Sequence, residues 1–546
     1  MKLIGRSALL INWKKLARSL LFIGVGVFFL FGILFRVFLS EKLSFTYDEM
    51  WAFHFAHQEH SIWEHIVHPF DDRPPVHYIL LKLQSSISQS ILWLRFPSIL
   101  CSAAVLLCAA MVTRKVSYRF AIAVILFGTM SYSSVRYATL ARDYGFIVLA
   151  AWLQVHSIWK WIAPKTSSVK ENLSWAQIVE WSLAAFFGVG LNYVYIPFLV
   201  SLITGLFVAM LGEYRLKQIS VQVVFKRIGV LLAATLPTVV MVGYYLIGYN
   251  QFSIIMSTTD WIRQPNLREV LDLLTIHFGL GTYVNWSSLV FGFAIICVGI
   301  YISWRDRLNR TFMVFSLITI SSNISGLVII SLLGSSFFLI RYFAPLSVVS
   351  LLFVSFIGWK LWELADRPIR IFMLAWFFIE YVPYMVLEMN NRLGFFGSLE
   401  KYGTEYTQLV QTIKKEWRPG DQLIFSPKSY GVLYRDFYFN SPLYASSAEI
   451  AAQIDPIDIF ACEKRKKMVF SEGTKLVVAV VSQVAYTQPE SILISETTTN
   501  IYPDYVLSLD ELCETEPINV LKVNQTGVWT CMLKHEIRLT QYCYLP

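Results

Sequence analysis

Charged residues are scarce in this 546-residue chain, in which Asp, Glu, Lys and Arg together make up only 15%. Ordinary soluble proteins contain about 25%. Hydrophobic residues reach 55%, aromatic residues reach 16%, and the mean hydropathy is +0.53. This composition excludes a disordered chain, a coiled coil and a soluble globular enzyme. It predicts a polytopic α-helical membrane protein. A soluble chain of this length would form several domains, but here many short membrane spans account for the same number of residues.

Long basic runs are also missing, although the net charge is +9. The longest run is the short segment 464–467. Residues 390–546 carry a net charge of −3, so a surplus of +12 lies in the hydrophobic first 389 residues. A basic surplus confined to a hydrophobic segment indicates loop charges that orient spans in a membrane. It does not indicate a nucleic-acid surface.

Apolar runs of spanning length begin close to the N-terminus. The first covers about residues 19–40, follows several basic residues and lacks the small-x-small pattern of a signal-peptide cleavage site. It predicts a retained first span with the N-terminus in the cytoplasm. With ten further runs, the sequence predicts about eleven transmembrane helices, and up to about thirteen. These runs centre near residues 102, 127, 152, 184, 201, 237, 294, 322, 348 and 380.

The distribution of basic residues gives these spans an orientation. If the spans alternate, 21 of the 31 basic residues among the first 389 lie on the cytoplasmic side, as the positive-inside rule requires. Residues 1–390 then form a transmembrane module with a long first outer loop at about 41–92. Residues 391–546 form an extracytoplasmic α/β domain, in which 405–416 indicate a helix and 422–425 and 475–481 indicate strands.

Cysteines are few and unevenly placed. Cys101, Cys108 and Cys297 lie within predicted spans, where they are expected to be inert packing residues. The other four fall in the predicted outer domain, where one or two disulfides are expected. Four cysteines allow three pairings, and the sequence does not choose among them. A zinc site is less favoured because no C-x2-C pair is present. These four are Cys462, Cys513, Cys531 and Cys543.

Polar residues at the predicted span ends gather on the outer side of this topology. Charge is expensive at a membrane and usually has a function. A carboxylate can take a proton from an acceptor hydroxyl, and arginines can hold a phosphate and stabilise it as it leaves. The set therefore suits group transfer from a membrane-bound phosphate donor to an external acceptor. It comprises Asp48, Glu49, Asp71, Asp72, Arg73, Arg95, Arg136, Arg142, Asp143, Trp261, Arg263 and Arg341.

Six short motifs in this set, taken in order, resemble those of the GT-C glycosyltransferases. The similarity is to the dolichyl-phosphate-mannose–protein mannosyltransferase-like family and to the related lipid A aminoarabinose transferases, and it covers about residues 1–440. A Pro-Gly-Asp turn at 419–421 is similar as well. The six motifs are Asp48-Glu49, the segment 71–78 (DDRPPVHY), the segment 95–98 (RFPS), the segment 137–144 with Arg142 and Tyr144, Trp261 with Pro265, and Arg341-Tyr342.

The resemblance implies a GT-C enzyme that uses a polyprenyl-phosphate sugar, with Asp48 as general base supported by Glu49. It implies a bacterial cytoplasmic membrane with the active face outside; the endoplasmic reticulum of a eukaryote is the minor alternative. Two departures matter. Leu140 replaces the family's Glu, which makes Asp143 a candidate second acid. Arg73 replaces a frequent His, which favours phosphate binding. The residues implied to bind the donor and its phosphate are Arg73, Arg142, Arg341 and Tyr144, with Lys82 and Arg95 as weaker candidates.

Histidines are concentrated in one stretch, since six of the nine lie between His54 and His77. His54 and His57 are three residues apart and, with the acidic pair nearby, are weak candidates for a divalent metal site. The segment 51–66 also reads as an amphipathic interfacial helix, where His and Trp are common. In the same way, Asp48-Glu49 also reads as a helix cap, and interfacial arginines can snorkel without any further function.

These observations predict an inverting glycosyltransferase, in which an acceptor hydroxyl attacks the sugar and polyprenyl phosphate leaves. The acceptor class stays open among lipid, glycan and protein. The sequence identifies no cofactor and leaves open whether a divalent metal is needed. The competing hypothesis is a transporter or flippase of a lipid-linked or anionic substrate. Transporters usually show internal repeats and polar residues near mid-span. This chain shows no clear repeat, and its charges gather at one interface.

Overall fold

The structure, a computed structural model, divides the chain into two compact units, which are described separately. The first unit comprises residues 1–40, 60–80 and 95–385; the second comprises 41–59, 81–94 and 386–546. The structure describes residues 2–43, 45–57, 61–67, 73–164, 173–216, 219–249, 264–277, 307–333, 339–371 and 405–419, strand segments between 421 and 540, and a few single positions.

Helices dominate the described part of the chain up to residue 371. Their bounds are α1 Lys2–Lys42, α2 Tyr47–His57, α3 Ile62–Val67, α4 Val76–Ser85, α5 Ile91–Arg114, α6 Tyr118–Met130, α7 Tyr132–Ala138, α8 Tyr144–Ser157, α9 Trp159–Ile162, α10 Trp175–Leu191, α11 Tyr195–Arg215, α12 Val221–Gly243, α13 Leu267–His277, α14 Arg307–Leu333 and α15 Leu346–Leu364. A π-helical turn, Tyr244–Gly248, continues α12, and a 3-10 turn, Ile340–Phe343, precedes α15.

Within the described residues, six helices are long and apolar enough to cross a membrane, which makes the chain an integral membrane protein. They match six of the eleven predicted spans. The predicted spans near 127, 152 and 184 correspond to the shorter apolar helices α6, α8 and α10. The predicted spans near 294 and 380 fall largely outside the described residues, so the total of eleven stays a prediction. The six are Leu21–Lys42, Ile91–Arg114, Tyr195–Arg215, Val221–Gly248, Asn309–Leu333 and Leu346–Leu364.

Serines at the helix starts explain where several of these helices begin. The hydroxyl of Ser174 accepts the Gln177 amide while the Gln177 side chain accepts the Ser174 amide, a capping box that begins α10. Ser220 caps α12 with its hydroxyl in the same position. Ser131 ends α6 and also begins α7, where its hydroxyl accepts the Ser134 amide. This last serine sets the bend that places α7 beside the site described below.

The core of the first unit is built from the apolar faces of these helices. Helix α11 packs along α14, α10 lies between α8 and α12, and α6 packs against α15. Trp152, Trp181 and Trp359 are fully buried there, and the indole of Trp181 donates to the Thr235 hydroxyl at 3.0 Å. A buried hydrogen bond from Thr311 to Glu213 joins α14 to α11. These two hydrogen bonds satisfy buried polar groups by joining neighbouring helices.

The second unit contains α2, the C-terminal helix α16 Glu405–Glu416 and the strands. The strands are β1 Gln422–Ser426, β2 Lys467–Phe470, β3 Lys475–Val481, β4 Ser491–Leu493, β5 Val506–Ser508, β6 Ile518–Val523, β7 Thr526–Met532 and β8 Ile537–Thr540. Four of them form a sheet in the order β1-β3-β7-β6, in which β1 and β3 are parallel and the other neighbours are antiparallel. Helix α16 packs against β3, β6 and β7. Phe45 stacks on Phe437 at 3.9 Å, and Phe53 meets the same ring edge-on.

Several predictions about the outer segments are not tested by this description. Cys462, Cys513 and Cys543 lie outside the described residues, and only the backbone of Cys531 is described, within β7. The predicted disulfides therefore stay predictions, as do a separate α/β domain with bounds 391–546 and its position outside the cell. Cys101, Cys108 and Cys297 are free thiols. Cys101 is buried, as expected for a packing residue, whereas Cys108 is partly buried and Cys297 is exposed.

Candidate functional site

Asp143 is the centre of a buried charged cluster in the first unit. Its carboxylate is fully buried, and its Oδ2 accepts a hydrogen bond from the Asn192 side-chain amide at 2.7 Å. Its Oδ1 lies 3.8 Å from Nη1 of Arg73 and 4.0 Å from Nε of Arg142. These two separations are ion-pair distances rather than hydrogen bonds. One carboxylate therefore faces two guanidinium groups, and the trio of charges has a formal sum of +1.

Three helix ends bring these residues together. Arg142 and Asp143 immediately precede α8, and Asp143 occupies the N-cap position without using its side chain as a cap. Asn192 ends α10, where its amide N–H donates to Gly188 O and its Oδ1 accepts from the Val194 amide at 3.1 Å. Arg73 precedes the double proline that leads into α4. Because Asn192 is held on both sides, it fixes the orientation of the Asp143 carboxylate.

Close backbone packing also fixes the start of α8. A Cβ at Gly145 would lie 2.8 Å from the Cα of Ser98 in α5, so a glycine is required at this position. The hydroxyl of Ser98 donates to the carbonyl oxygen of Arg142 at 3.4 Å. Helix α5 thus holds the backbone that carries the Arg142–Asp143 pair.

Two tyrosines connect this cluster with Arg341. Tyr137 and Tyr144 are buried with their ring centroids 5.4 Å apart, and both pack against Ala344, just beyond Arg341. Burial raises the pKa of Tyr137, the neighbouring Tyr144 raises it further, and the positive charges of Arg136 and Arg341 oppose this rise. The phenol of Tyr137 therefore stays protonated at neutral pH and keeps its capacity to donate a hydrogen bond. Arg341 itself is half-buried in the 3-10 turn beside Tyr342.

Arg95 has a different environment from Arg73 and Arg142. It is fully buried in α5, and its Nη1 donates to the carbonyl oxygen of Ser40 at 2.8 Å. That carbonyl belongs to the last turn of α1, where intrahelical partners run out. This contact joins α5 to α1, and a role for Arg95 in holding the carrier phosphate stays a prediction.

The acidic pair of the second unit divides into two environments. Glu49 is fully buried, and its Oε2 accepts the Thr46 amide at 2.8 Å, while the Thr46 hydroxyl accepts the Glu49 amide at 3.4 Å. This reciprocal pair is a capping box at the start of α2. Of the acidic pair, Glu49 therefore has the contacts of a helix cap. Asp48, in the same helical turn, is half-buried.

The two histidines that were candidates for a metal site have other contacts. Nδ1 of His57 lies 2.8 Å from the Phe53 carbonyl, and its Nε2 lies 2.7 Å from the Ser85 hydroxyl. His54 is mostly buried between the rings of Trp51 and Phe55. No group of three His, Cys, Asp or Glu side chains that could hold a metal occurs among the described residues. Asp71, Asp72, His60 and His68 lie outside them.

Lys82 and the Trp261 loop complete the set of predicted residues. Lys82 is half-buried in α4, within the second unit. Trp261 and Arg263 lie outside the described residues, whereas Pro265 lies just before α13. The structure therefore brings Arg73, Arg142 and Asp143 together, and Tyr137 links Tyr144 and Arg341 to the same region of the first unit.

Two residues of this region were missed by the sequence analysis. Asn192 carries a detectable signal, because it is a polar residue that interrupts the apolar stretch between the predicted spans near 184 and 201. Tyr137 was the first residue of a quoted motif but received no role of its own. Its position beside Arg341, some two hundred residues later in the chain, depends on tertiary packing.

Comparison with known proteins gives structural matches only. No protein-family profile and no curated protein sequence matches the chain. The crystal structure of ArnT from Cupriavidus metallidurans bound to undecaprenyl phosphate matches with a TM-score of 0.50 and 12% identity, covering 93% of this chain and 97% of ArnT. The Archaeoglobus fulgidus oligosaccharyltransferase, in complex with Zn and sulfate, matches with a TM-score of 0.43 and 12% identity, covering 83% of this chain and 67% of that chain. The match to ArnT, a GT-C lipid A aminoarabinose transferase, extends over nearly the whole length of both chains, so this chain has the GT-C glycosyltransferase fold.

Proposed function

We propose that this protein is a membrane glycosyltransferase that moves a sugar from a polyprenyl-phosphate carrier to an extracytoplasmic acceptor hydroxyl. The observation that carries the proposal is the buried cluster of Arg73, Arg142 and Asp143 in a chain of this fold. In such a transfer, the bond between the anomeric carbon and the phosphate oxygen breaks, and the phosphate gains negative charge. Buried, fixed guanidinium groups stabilise that charge.

Asp143 makes this cluster suitable for a phosphate that binds and is later released. Two guanidinium groups buried together repel each other and are costly to desolvate. A carboxylate between them offsets one charge while the donor is absent, and its ion-pair distances of 3.8 and 4.0 Å leave it more loosely engaged than a bidentate pair would be. In this proposal, Asp143 is a counter-ion that positions the arginines rather than a second acid acting on substrate. Tyr137, Tyr144 and Arg341 complete the binding region.

Asp48 is the proposed general base. Glu49 is engaged with the Thr46 amide as a cap, so the acid–base role falls to Asp48, with Glu49 holding the first turn of α2 in place. The acceptor hydroxyl would lose its proton to Asp48 and attack the anomeric carbon from the face opposite the phosphate. The configuration at that carbon would therefore invert.

A donor panel tests the proposed function directly. Purified protein in lipid nanodiscs is given labelled polyprenyl-phosphate sugars and a mixture of acceptors, and the release of free polyprenyl phosphate is measured. We expect wild type to release it from at least one donor and Asp48→Asn to lose at least about a hundredfold in turnover, since general base catalysis contributes 10²–10⁴-fold. Glu269→Gln is the control for losing a carboxylate from the first turn of a helix, because Glu269 accepts the Asn266 amide in α13 as Glu49, the neighbour of Asp48, accepts the Thr46 amide in α2.

The possible outcomes test three parts of the proposal separately: the role of Asp48, the transfer reaction and the need for a metal. Equal release by wild type and Asp48→Asn removes Asp48 from the mechanism. Movement of an intact lipid-linked sugar across the bilayer, without any release of polyprenyl phosphate, would contradict transfer chemistry and support the flippase hypothesis instead. Repeating the assay with a chelator tests the divalent metal, because a metal-dependent enzyme would lose turnover and regain it on metal addition.

A further inference from the structure

Another buried arginine, Arg36, has no role in the site described above. It belongs to the part of α1 that is long and apolar enough to span the membrane, and its side chain is fully buried. Its guanidinium group donates to the Gly32 carbonyl at 2.9 Å, the Gly128 carbonyl at 3.2 Å and the Ser134 hydroxyl at 3.0 Å. An ionisable residue inside a span is costly and usually marks a functional site.

The charge of Arg36 has no described counter-ion. All three of its hydrogen-bond acceptors are neutral, and its Nε has no hydrogen-bond partner. Within the part of the chain that the structure describes, no carboxylate forms an ion pair with it. A buried charge normally requires a partner of opposite sign, because neutral acceptors compensate only part of the lost solvation.

Ser102 and Ser134, beside Arg36, have one hydroxyl hydrogen more than the described acceptors can take. Ser134 Oγ accepts from Arg36 and lies 3.3 Å from Ser102 Oγ. An arginine can only donate, and each serine carries one hydroxyl hydrogen. The bond between the two serines uses one of the two hydrogens, whichever serine donates it. The other hydrogen has no acceptor among the described residues, so this pair of serines has one donor left over.

Both serines line a small cavity within the first unit. Its volume is about 30 Å³, which suits an occupant about the size of one water molecule or one monatomic ion. Its other polar lining residues are Ser131, Tyr137 and Ser347. The hydroxyl of Ser347 donates its hydrogen to the Ala344 carbonyl at 2.6 Å, so it adds no second surplus donor to the cavity. The surplus donor therefore comes from the Ser102–Ser134 pair, next to the charge of Arg36.

We propose that this cavity binds a monatomic anion such as chloride, held by the Ser102–Ser134 hydroxyl pair and balanced by the charge of Arg36. An anion satisfies both deficits at once, since it accepts the surplus hydroxyl hydrogen and supplies the missing negative charge. A water molecule satisfies only the first. The positive charge here is that of Arg36, whereas the proposed carrier-phosphate site has Arg73 and Arg142, although Tyr137 borders both. The proposal therefore does not rest on the proposed function.

Thermal unfolding of the purified full-length protein in lipid nanodiscs tests the proposal. The unfolding midpoint is measured in increasing sodium chloride or sodium bromide, with sodium gluconate keeping the ionic strength constant. A ligand that binds only the folded state raises the midpoint with its concentration until the effect follows the logarithm of that concentration. We expect chloride and bromide to raise the midpoint of wild type, relative to gluconate alone.

Three variants locate the effect. Arg36→Gln should remove the halide dependence, whatever its own midpoint is. Ser102→Ala removes a hydroxyl from the pair and should weaken the apparent halide affinity about tenfold, because a hydrogen bond to a charged group contributes about 1.5 kcal/mol. Arg215→Gln, which changes an exposed arginine at the end of α11, should keep the wild-type dependence. If Arg36→Gln does not fold, Ser102→Ala and Ser134→Ala carry the test.

Two results would overturn the proposal. Wild type with the same midpoint in halide and gluconate would show that water alone fills the cavity. A halide dependence that persists unchanged in Ser102→Ala and Arg36→Gln would place the halide effect elsewhere on the protein.

Discussion

Two arginine sites in the first unit balance their charges differently: one contains the partly buried Arg73 and the buried Arg142, and the other contains the buried Arg36. Arg73 and Arg142 share the carboxylate of Asp143, which Asn192 holds in place. Arg36 has only neutral acceptors, two of them on segments far from it in sequence. A carboxylate that accompanies the arginines can be displaced by an incoming phosphate. Arg36 has no described carboxylate beside it, and in our proposal a resident anion balances its charge. The contrast suggests a site for a ligand that turns over in the first group and for one that stays bound in the second.

Asp143→Asn should produce the largest change in stability of the variants that separate these two groups. It removes the carboxylate from two buried arginines and should cost about 3–5 kcal/mol in the free energy of unfolding. Thermal unfolding followed by tryptophan fluorescence measures it, with the exposed Asp366→Asn as control. A midpoint equal to that of the control would show that Asp143 does not compensate the arginines.

Arg142→Gln should produce the largest change in turnover. Loss of one preorganised donor to a developing anionic charge typically lowers the rate 10²–10³-fold, equivalent to about 3–4 kcal/mol at the transition state. Release of polyprenyl phosphate, compared with Arg215→Gln, measures this loss. If turnover stays close to that of the control variant, Arg142 does not hold the leaving phosphate.

Asn192 variants should have an intermediate effect that acts through Asp143. Asn192→Ala removes the 2.7 Å hydrogen bond to the carboxylate and should raise the donor KM about tenfold while changing kcat less, since a charged hydrogen bond contributes about 1.5–3 kcal/mol. Asn192→Asp should be worse than Asn192→Ala, because it places a second carboxylate against Asp143. The reverse order of the two variants would contradict a positioning role for the amide.

Arg36→Met should have the smallest effect when halide is absent. It leaves the Gly128 carbonyl and the Ser134 hydroxyl without their donor, which should cost about 1–2 kcal/mol, but it leaves no charge without a partner. Unfolding midpoints of Arg36→Met and Asp143→Asn, compared in gluconate, measure this difference. Equal costs would show that Arg36 also has a compensating charge in the folded protein, and the contrast would no longer hold.

Much of the fold was readable in the sequence because burial in a bilayer leaves a strong pattern. All six long helices coincide with apolar runs. The exact bounds were not readable, since Ser131 and Ser174 set helix starts through contacts of single hydroxyls. The capping role of Glu49 was readable, because Thr46-x-x-Glu49 has the spacing of a capping box, yet the acidic pair was assigned mainly to chemistry.

The site was readable in part for the same reason. Arg142 and Asp143 are sequence neighbours at the end of an apolar run, so their importance was evident, but their counterparts were not. Asp143 was predicted as a candidate second acid because Leu140 replaces the family's Glu, and the sequence did not show that two guanidinium groups face its carboxylate. Arg73 and Asn192 reach it from 70 and 49 positions away along the chain. Arg36 was overlooked because the apolar run at about residues 19–40 predicts a transmembrane span even though it contains this one charged residue.

The position of the Arg36 partners in the sequence has a consequence for biosynthesis. Its acceptors Gly128 and Ser134 follow it by 92 and 98 residues, so at translation rates of about 5–20 residues per second they appear roughly 5–20 s after α1 has been made. During that interval the Gly32 carbonyl of α1 is the one partner of the guanidinium group among its three acceptors, and the long side chain can reach toward the headgroups near the end of α1. Helix α1 therefore enters the membrane with its arginine still hydrated. It completes its burial only when α6 and α7 arrive, which makes this step an ordered event in assembly.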